Sequence, residues 1–257
     1  MTKNKSESPS ILFIDSGIGG LSTLSETMGK NIANYIYFAD NKYAPYGTKS
    51  DSFLKKRLCD IIYSQSKKYK LSMVVLACNT ATTTAISFLR TQFPNLLFVG
   101  TEPAYKLALD KTFKSPAIIA TPQTINHLHL QTDKNFKFIP HKNLASLVEQ
   151  NLTSNSMQSR LMLLKSIYNI KNQTKNCDCL VLGCTHYVFL KEKLSKVLNI
   201  PIFDGNPGVA RQIIRNNPNI SITKHDCKLI LSKKNHTLLQ KYKKILKQIL
   251  ANQINLC

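Results

Sequence analysis

The sequence predicts an α/β protein made of two similar doubly wound domains with mainly parallel sheets. Three observations carry that reading. Short apolar runs, often β-branched, recur along the 257 residues, and most end in a polar turn that opens a helix-like segment. One plan also occurs twice: apolar strand, small residue, cysteine, small polar residues, helix. It is written once as VVLACNTATTTAISFL and again as LVLGCTHYVFLKEKL. Near-continuous apolar runs of about 4–8 residues mark strands buried on both faces of a parallel sheet, and strands alternating with helices give α/β layers.

In order, the runs are Ile11–Ile14, Tyr35–Ala39, Leu71–Ala77, Leu96–Gly100, Pro116–Ala120, Phe136–Ile139, Cys179–Gly183 and Ile200–Phe203. The first leads into DSGIGGLSTL, the second into DNKYAPYGTKS, the third into CNTATTTAISFLR and the seventh into CTHYVFLKEKL. Ligands in such sheets bind beyond the carboxyl ends of strands, where all these motifs fall. The repeated plan implies two domains related by a pseudo-two-fold, with the site in the cleft between them. We expect residues 1–10 to form a mobile tail, and 11–100 with 208–257 to form the first domain. Residues 101–207 would form the second. The basic stretch SKKNHTLLQKYKKILKQIL reads as an amphipathic helix returning to the first domain.

No apolar run approaches the length of a membrane span, and the polar opening MTKNKSESPS has no signal-peptide core. A cytoplasmic location is the resulting expectation, with the seven cysteines as thiols. Thirty-five Lys and Arg against 14 Asp and Glu give a formal net charge of +21. Such a field attracts anions, so a module binding nucleic acid or another anion is the non-enzymatic alternative, resting on charge alone. No zinc-finger spacing or aromatic RNA-binding signature accompanies the lysines.

Cys78 and Cys184 stand out. Each is expected at the first turn of a helix, where N–H groups and the helix dipole favour an anion. A thiol there should ionise below its free value of about 8.5. Two such thiols on facing domains suit inversion of a stereocentre: one removes a proton from one face of a carbon, and the other returns a proton to the opposite face. Asp15 offers a carboxylate to an ammonium group. The turn at Tyr46 and Gly47 offers N–H groups and a hydroxyl to a carboxylate. No pyridoxal-lysine motif is present, so the route needs no cofactor.

Other readings are weaker. Cys177, Cys179, Cys184 and His186 lie within ten residues, but an intervening strand would hold the pairs too far apart for one metal. Gly17, Gly19 and Ser22, with Asp40 farther on, imitate a dinucleotide fingerprint, but Asp15 would repel a pyrophosphate. Glu149, in LASLVEQ, reads from its pattern as a helix carboxylate facing solvent.

Taken together, IDSGIGGLSTL, YFADNKYAPYGTKS, LACNTATTTAI, VGTEPA and LGCTHY resemble the signatures of bacterial glutamate racemases, within the aspartate/glutamate racemase superfamily. The pairing of ACNTAT with GCTHY is the specific part, and the resemblance runs from about Ile11 to Ala210. It implies that Cys78 serves the proton of the D-enantiomer and Cys184 that of the L-enantiomer, with Asp15, His186 and Glu149 assisting. It places Asp15, Ser16, Tyr46, Gly47, Asn79, Thr80, Thr121, Thr124, Thr185 and His186 around the substrate. Glutamate is the implied small-molecule partner, a homodimer stays open, and no membrane is involved. The D-glutamate produced would feed peptidoglycan synthesis. The chain departs from the pattern at Val188, where the family has proline. It departs also at Ala39 of FAD, commonly glycine, and in HKNLASLVE, where the family has a Cys-Pro pair. Aspartate, or acidic amino acids generally, is the alternative substrate.

Overall fold

Alternation within the apolar runs decides which side chain enters which layer. In a strand, successive side chains point to opposite faces. Odd-numbered Ile11, Phe13, Tyr35, Tyr37, Met73 and Val75 enter one core, while even-numbered Leu12, Ile14, Ile36, Phe38, Val74 and Leu76 enter another. Both faces being apolar, these residues form a sheet covered by helices on each side. The computed structural model describes residues 6–30, 33–109, 113–129, 136–154, 156–216 and 226–254.

The first sheet has five strands: β1 (Ser6–Asp15), β2 (Asn34–Ala39), β3 (Tyr69–Leu76), β4 (Leu97–Gly100) and β9 (Asp226–Leu231). All neighbours are parallel, in the order β4-β3-β1-β2-β9. The second has β5 (Pro116–Ala120), β6 (Lys137–Pro140), β7 (Cys179–Gly183) and β8 (Ile202–Asp204), again parallel, in the order β6-β5-β7-β8. A register slip of one residue would exchange the two faces of either sheet. Burying a Leu, Ile, Val or Phe is worth about 1.5–3 kcal/mol, which holds each register.

Helices α1 (Leu21–Met28), α9 (Asn206–Asn216) and α10 (His236–Ile254) cover the odd-numbered face of the first sheet. Helices α2 (Asp51–Ser66) and α3 (Asn79–Gln92) cover the other. In the second sheet, Ala117, Ile119, Leu180 and Leu182 pack with α6 (Leu144–Thr153), α7 (Met157–Gln173) and α8 (Lys191–Leu198). On its opposite face, Ile118, Ala120 and Val181 meet α4 (Tyr105–Ala108) and α5 (Pro122–His129). The chain therefore leaves the first sheet after β4 and returns to its helical cover at α9.

Three details differ from the sequence reading. The expected tail does not extend to residue 10: β1 begins at Ser6, with Ser6 aligned to Tyr69 and Ser10 to Leu71 across a register irregularity. Strand pairing uses backbone groups, so polar side chains do not prevent it. Pro9, which lacks an N–H, lies inside the irregular stretch. Strand β9 was not anticipated. It lies at a sheet edge beside β2, mostly half-buried with Asp226 and Lys228 exposed, so no continuous apolar run marks it. The segment after Cys184 begins as a 3-10 turn, Thr185–Leu190, before α8 continues it. No helix of the described residues is long and apolar enough to cross a membrane.

Candidate active site

β1, β3 and β7 deliver their carboxyl ends to one place. Asp15 is the last residue of β1, Cys78 follows β3, and Cys184 follows β7. Cys78 occupies the N-cap of α3, and the backbone N–H groups of Thr80 and Ala81 reach its sulfur. Both thiols are buried, and each lies close enough for charge on Cys184 to bear on Cys78. The two sheets thus present one sulfur each to a shared site.

Cys184 heads a chain of contacts. Its Sγ lies 4.0 Å from Nδ1 of His186. Nε2 of the same ring donates to Oε2 of Glu149 at 2.7 Å, the direction a carboxylate acceptor requires. The backbone N–H of Ile18 donates to the same carboxylate oxygen at 2.8 Å, and the hydroxyl of Tyr242 donates to Oε1. Burial opposes ionisation of Glu149, but the bonds from His186, Ile18 and Tyr242 hold its carboxyl below the usual range. Burial likewise opposes a charged His186, yet its contacts with Cys184 and Glu149 push the imidazole well above its ordinary value. Glu149 is thus no solvent-facing helix carboxylate. Its helix packs inward, and the carboxylate is the base of a thiol–imidazole–carboxylate series.

Asp15 is completely buried. Its Oδ1 accepts from the N–H of Gly17 at 2.8 Å and its Oδ2 from the hydroxyl of Thr185 at 3.1 Å. Burial raises its carboxyl, opposed chiefly by the charge of His186. The DSGIGG turn therefore lies directly against the second sheet's motif. A Cβ on Gly17 would stand 2.5 Å from Oε2 of Glu149, and one on Gly19 would stand 2.6 Å from Oγ1 of Thr185. These glycines serve close approach between the two halves of the site and do not cradle a phosphate.

Cys78 has different company. The hydroxyls of Thr80, Thr121 and Thr124 form a buried triangle at 3.0–3.3 Å, joining α3 to the start of α5. Gly47 packs on this triangle, since a Cβ there would meet Cβ of Thr121 at 3.2 Å. Asn79 donates its side-chain N–H to the carbonyl of Thr101 at 2.9 Å, and Ser16 is buried beside Asp15 in the turn. Tyr46 differs from expectation: its hydroxyl donates to Oδ2 of buried Asp40 at 2.9 Å. Arg57 grips the same carboxylate through Nε and Nη2. A buried carboxylate needs donors, and these two satisfy it. So Tyr46 anchors its loop, and Asp40 is not free for a ribose. Among the described residues, no three His, Cys, Asp or Glu side chains converge as a metal site.

The expectation of an easily ionised Cys78 is corrected. Burial first, and then the Asp15 carboxylate, push this thiol far up, outweighing the N–H groups of Thr80 and Ala81. The helix terminus is where the sequence placed it, but a closed apolar setting with a carboxylate beside it dominates. With the thiol raised, its ionised fraction keeps growing past the range where a free thiol is fully ionised. Alkylation of Cys78 in the substrate-free protein should therefore keep rising with pH above pH 9, past the plateau of a free thiol. A plateau near pH 8.5 in peptide-mapped iodoacetamide labelling would contradict it.

Two residues of the site escaped the sequence reading. Tyr242 comes from the basic helix α10, and Tyr37 donates its hydroxyl to the carbonyl of Gly17 at 2.7 Å, bracing the glycine turn. The signal for Tyr242 was its place on the apolar stripe of an otherwise lysine-rich helix. Tyr37 was hidden within an apolar run.

Two parallel-sheet halves thus bring one buried thiol each, from equivalent strand ends, to one site, the arrangement of a two-domain α/β protein with paired cysteines. No protein-family model matches the chain. Curated relatives do: the glutamate racemase of Clostridium botulinum (strain Alaska E43 / Type E3) is 36% identical over 214 residues, 79% of this chain and 81% of that protein. That of Clostridium kluyveri is 37% identical over 221 residues, 82% of this chain and 84% of that protein. Among solved structures, Escherichia coli glutamate racemase in complex with L-glutamate and an activator aligns with a TM-score of 0.78. It is 26% identical and covers 94% of this chain and 95% of that one. The chain belongs to the glutamate racemase family.

Proposed function

We propose that this protein interconverts L- and D-glutamate without a cofactor, using Cys78 and Cys184 as the two acid–base groups. The observation that carries the reading is the convergence of the two buried thiols from matching strand ends of the two sheets. Relatives named glutamate racemase support glutamate as the substrate.

In the L-to-D direction, ionised Cys184 takes the α-proton, leaving the electron pair on the α-carbon and its carboxylate. Cys78 then gives its proton to the opposite face. The reverse direction exchanges the roles. His186, held by Glu149, can take up or return the proton of Cys184. Cys78 enters the L-to-D half-reaction as the thiol that the site favours at rest. An amino-acid α-proton is far less acidic than a thiol, so the carbanion must be stabilised by fixed dipoles in a water-excluded space. Asp15 would face the substrate ammonium. Ser16, Gly47, Asn79, Thr80, Thr121, Thr124, Thr185 and His186 supply donors for its carboxylates, with Tyr46 holding the Gly47 loop. We assign the product to peptidoglycan synthesis and the protein to the cytoplasm.

The test is incubation of the purified protein with L-glutamate in D₂O. D-glutamate carrying α-deuterium should accumulate, read by proton NMR and chiral chromatography. Parallel assays with L-aspartate separate the substrates. Absence of exchange and inversion with both amino acids would refute the assignment.

A further inference from the structure

The Glu149–His186–Cys184 series does not end within the second domain. Helix α10 packs its apolar stripe on the first sheet, where Tyr242, Ile245 and Leu246 are buried with Ile11, Phe13 and Tyr35. The Tyr242 ring is fully buried in that core, yet its hydroxyl donates to Oε1 of Glu149 on α6, which covers the second sheet. The neighbouring Lys241 donates through Nζ to the carbonyl of Thr153, one turn farther along α6. Glu149 is thus held by three donors from three places: His186 and Ile18 on Oε2, and Tyr242 on Oε1.

We propose that Tyr242 is a positioning residue for the thiol chemistry: its hydroxyl fixes the Glu149 carboxylate that orients His186 against Cys184. The geometry supports this directly. His186 and Ile18 hold only Oε2, so the carboxylate plane can still tilt about that oxygen. A second donor on the other oxygen removes that freedom and sets the direction in which the imidazole presents Nδ1 to sulfur. Hydrogen bonds to a charged group are the strong kind, and a buried carboxylate oxygen stripped of its donor is left unsatisfied. The inference rests on the racemase reading above and extends it to the C-terminal helix.

The experiment is Tyr242→Phe, which keeps the ring and removes only the hydroxyl. The wild-type protein is first shown to racemise glutamate, so failure of the racemase reading appears there, before any variant is made. The enantiomers are equal in energy, so kcat/KM must fall equally in both directions, by about tenfold. What distinguishes the proposal is the isotope effect. Only the Cys184 step is slowed, so the primary deuterium effect on kcat/KM should rise with 2-deuterated L-glutamate. It should fall with 2-deuterated D-glutamate. A general loosening of the fold lowers activity without this opposed pair of shifts.

Lys241→Ala, which cuts the neighbouring contact to Thr153 and leaves the Tyr242 hydroxyl, should leave both isotope effects at wild-type values. In a Glu149→Gln background, Tyr242→Phe should cost little further activity, because it acts through that carboxylate. Unchanged isotope effects, shifts of the same sense, or full additivity with Glu149→Gln would each overturn the proposal. If Tyr242→Phe does not fold, the hydroxyl proton of Tyr242 in the wild-type protein decides. Its NMR resonance must be slow to exchange and must move on Glu149→Gln; a resonance indifferent to that change overturns the proposal.

Discussion

Cys78→Ala and Cys184→Ala should each lower kcat/KM for glutamate by about 10³-fold, in both directions of reaction. A positioned acid or base contributes about 10²–10⁴-fold, and inversion needs one on each face of the carbon. With either sulfur gone, one face has neither acceptor nor donor. The two variants should nevertheless differ. Cys78→Ala retains the thiol beside His186, so in D₂O it should exchange the α-hydrogen of L-glutamate without inverting it. Cys184→Ala should do the same with D-glutamate. Proton NMR of each enantiomer, with chiral chromatography, reads both quantities. Near-normal racemisation by either variant would disprove the two-thiol assignment.

Glu149→Gln carries the second-largest expected effect, and it falls on stability as well as on activity. Glu149 and His186 form an ion pair at 2.7 Å, with side-chain exposures of 22% and 8%. Breaking a buried pair by neutralising one partner costs about 3–5 kcal/mol. The pH dependence follows from the opposite shifts of the two groups. Glu149 is depressed, so its contribution is present above its unfolded value, 4.5, and is lost as pH falls through the folded value. His186 is raised, so its contribution is complete below its unfolded value, 6.5, and is lost as pH rises through the folded value. The stability gap between wild type and Glu149→Gln should be widest between those two ordinary values and should close towards strong acid and strong base. Chemical denaturation across the pH range measures it, and a gap independent of pH would show that the pair is not charged as described. Activity should fall by about 10²-fold, since His186 loses the group that orients it.

Much of this architecture was legible in the chain because its strands are buried on both faces. Such strands are written as unbroken apolar runs, and Pro116–Ala120 and Cys179–Gly183 have the boundaries the runs imply. β9 was missed because an edge strand can leave Asp226 and Lys228 in solvent. The two thiols were legible since a parallel sheet delivers chemistry at strand ends, and a cysteine there repeats. What could not be read was their surroundings. The raised state of Cys78 comes from enclosure and from Asp15, sixty-three positions away in the chain. From its loop alone the Tyr46 hydroxyl reads as available, but the buried Asp40 carboxylate takes it. Tyr242 and Glu149 are separated by 93 positions, and no local pattern records their bond.

The two places where the chain passes between sheets lie side by side. A side chain at Gly205 would collide with the carbonyl of Glu102, and the amide of Asn206 reaches back to Ser22 and Thr23 of α1. Two adjacent covalent crossings meet there beside a buried polar cluster. Sliding or twisting of one half past the other would stretch backbone, whereas rotation about the line through both crossings leaves it intact. A swing of that kind would change the separation of the two sulfurs and the Tyr242–Glu149 contact together.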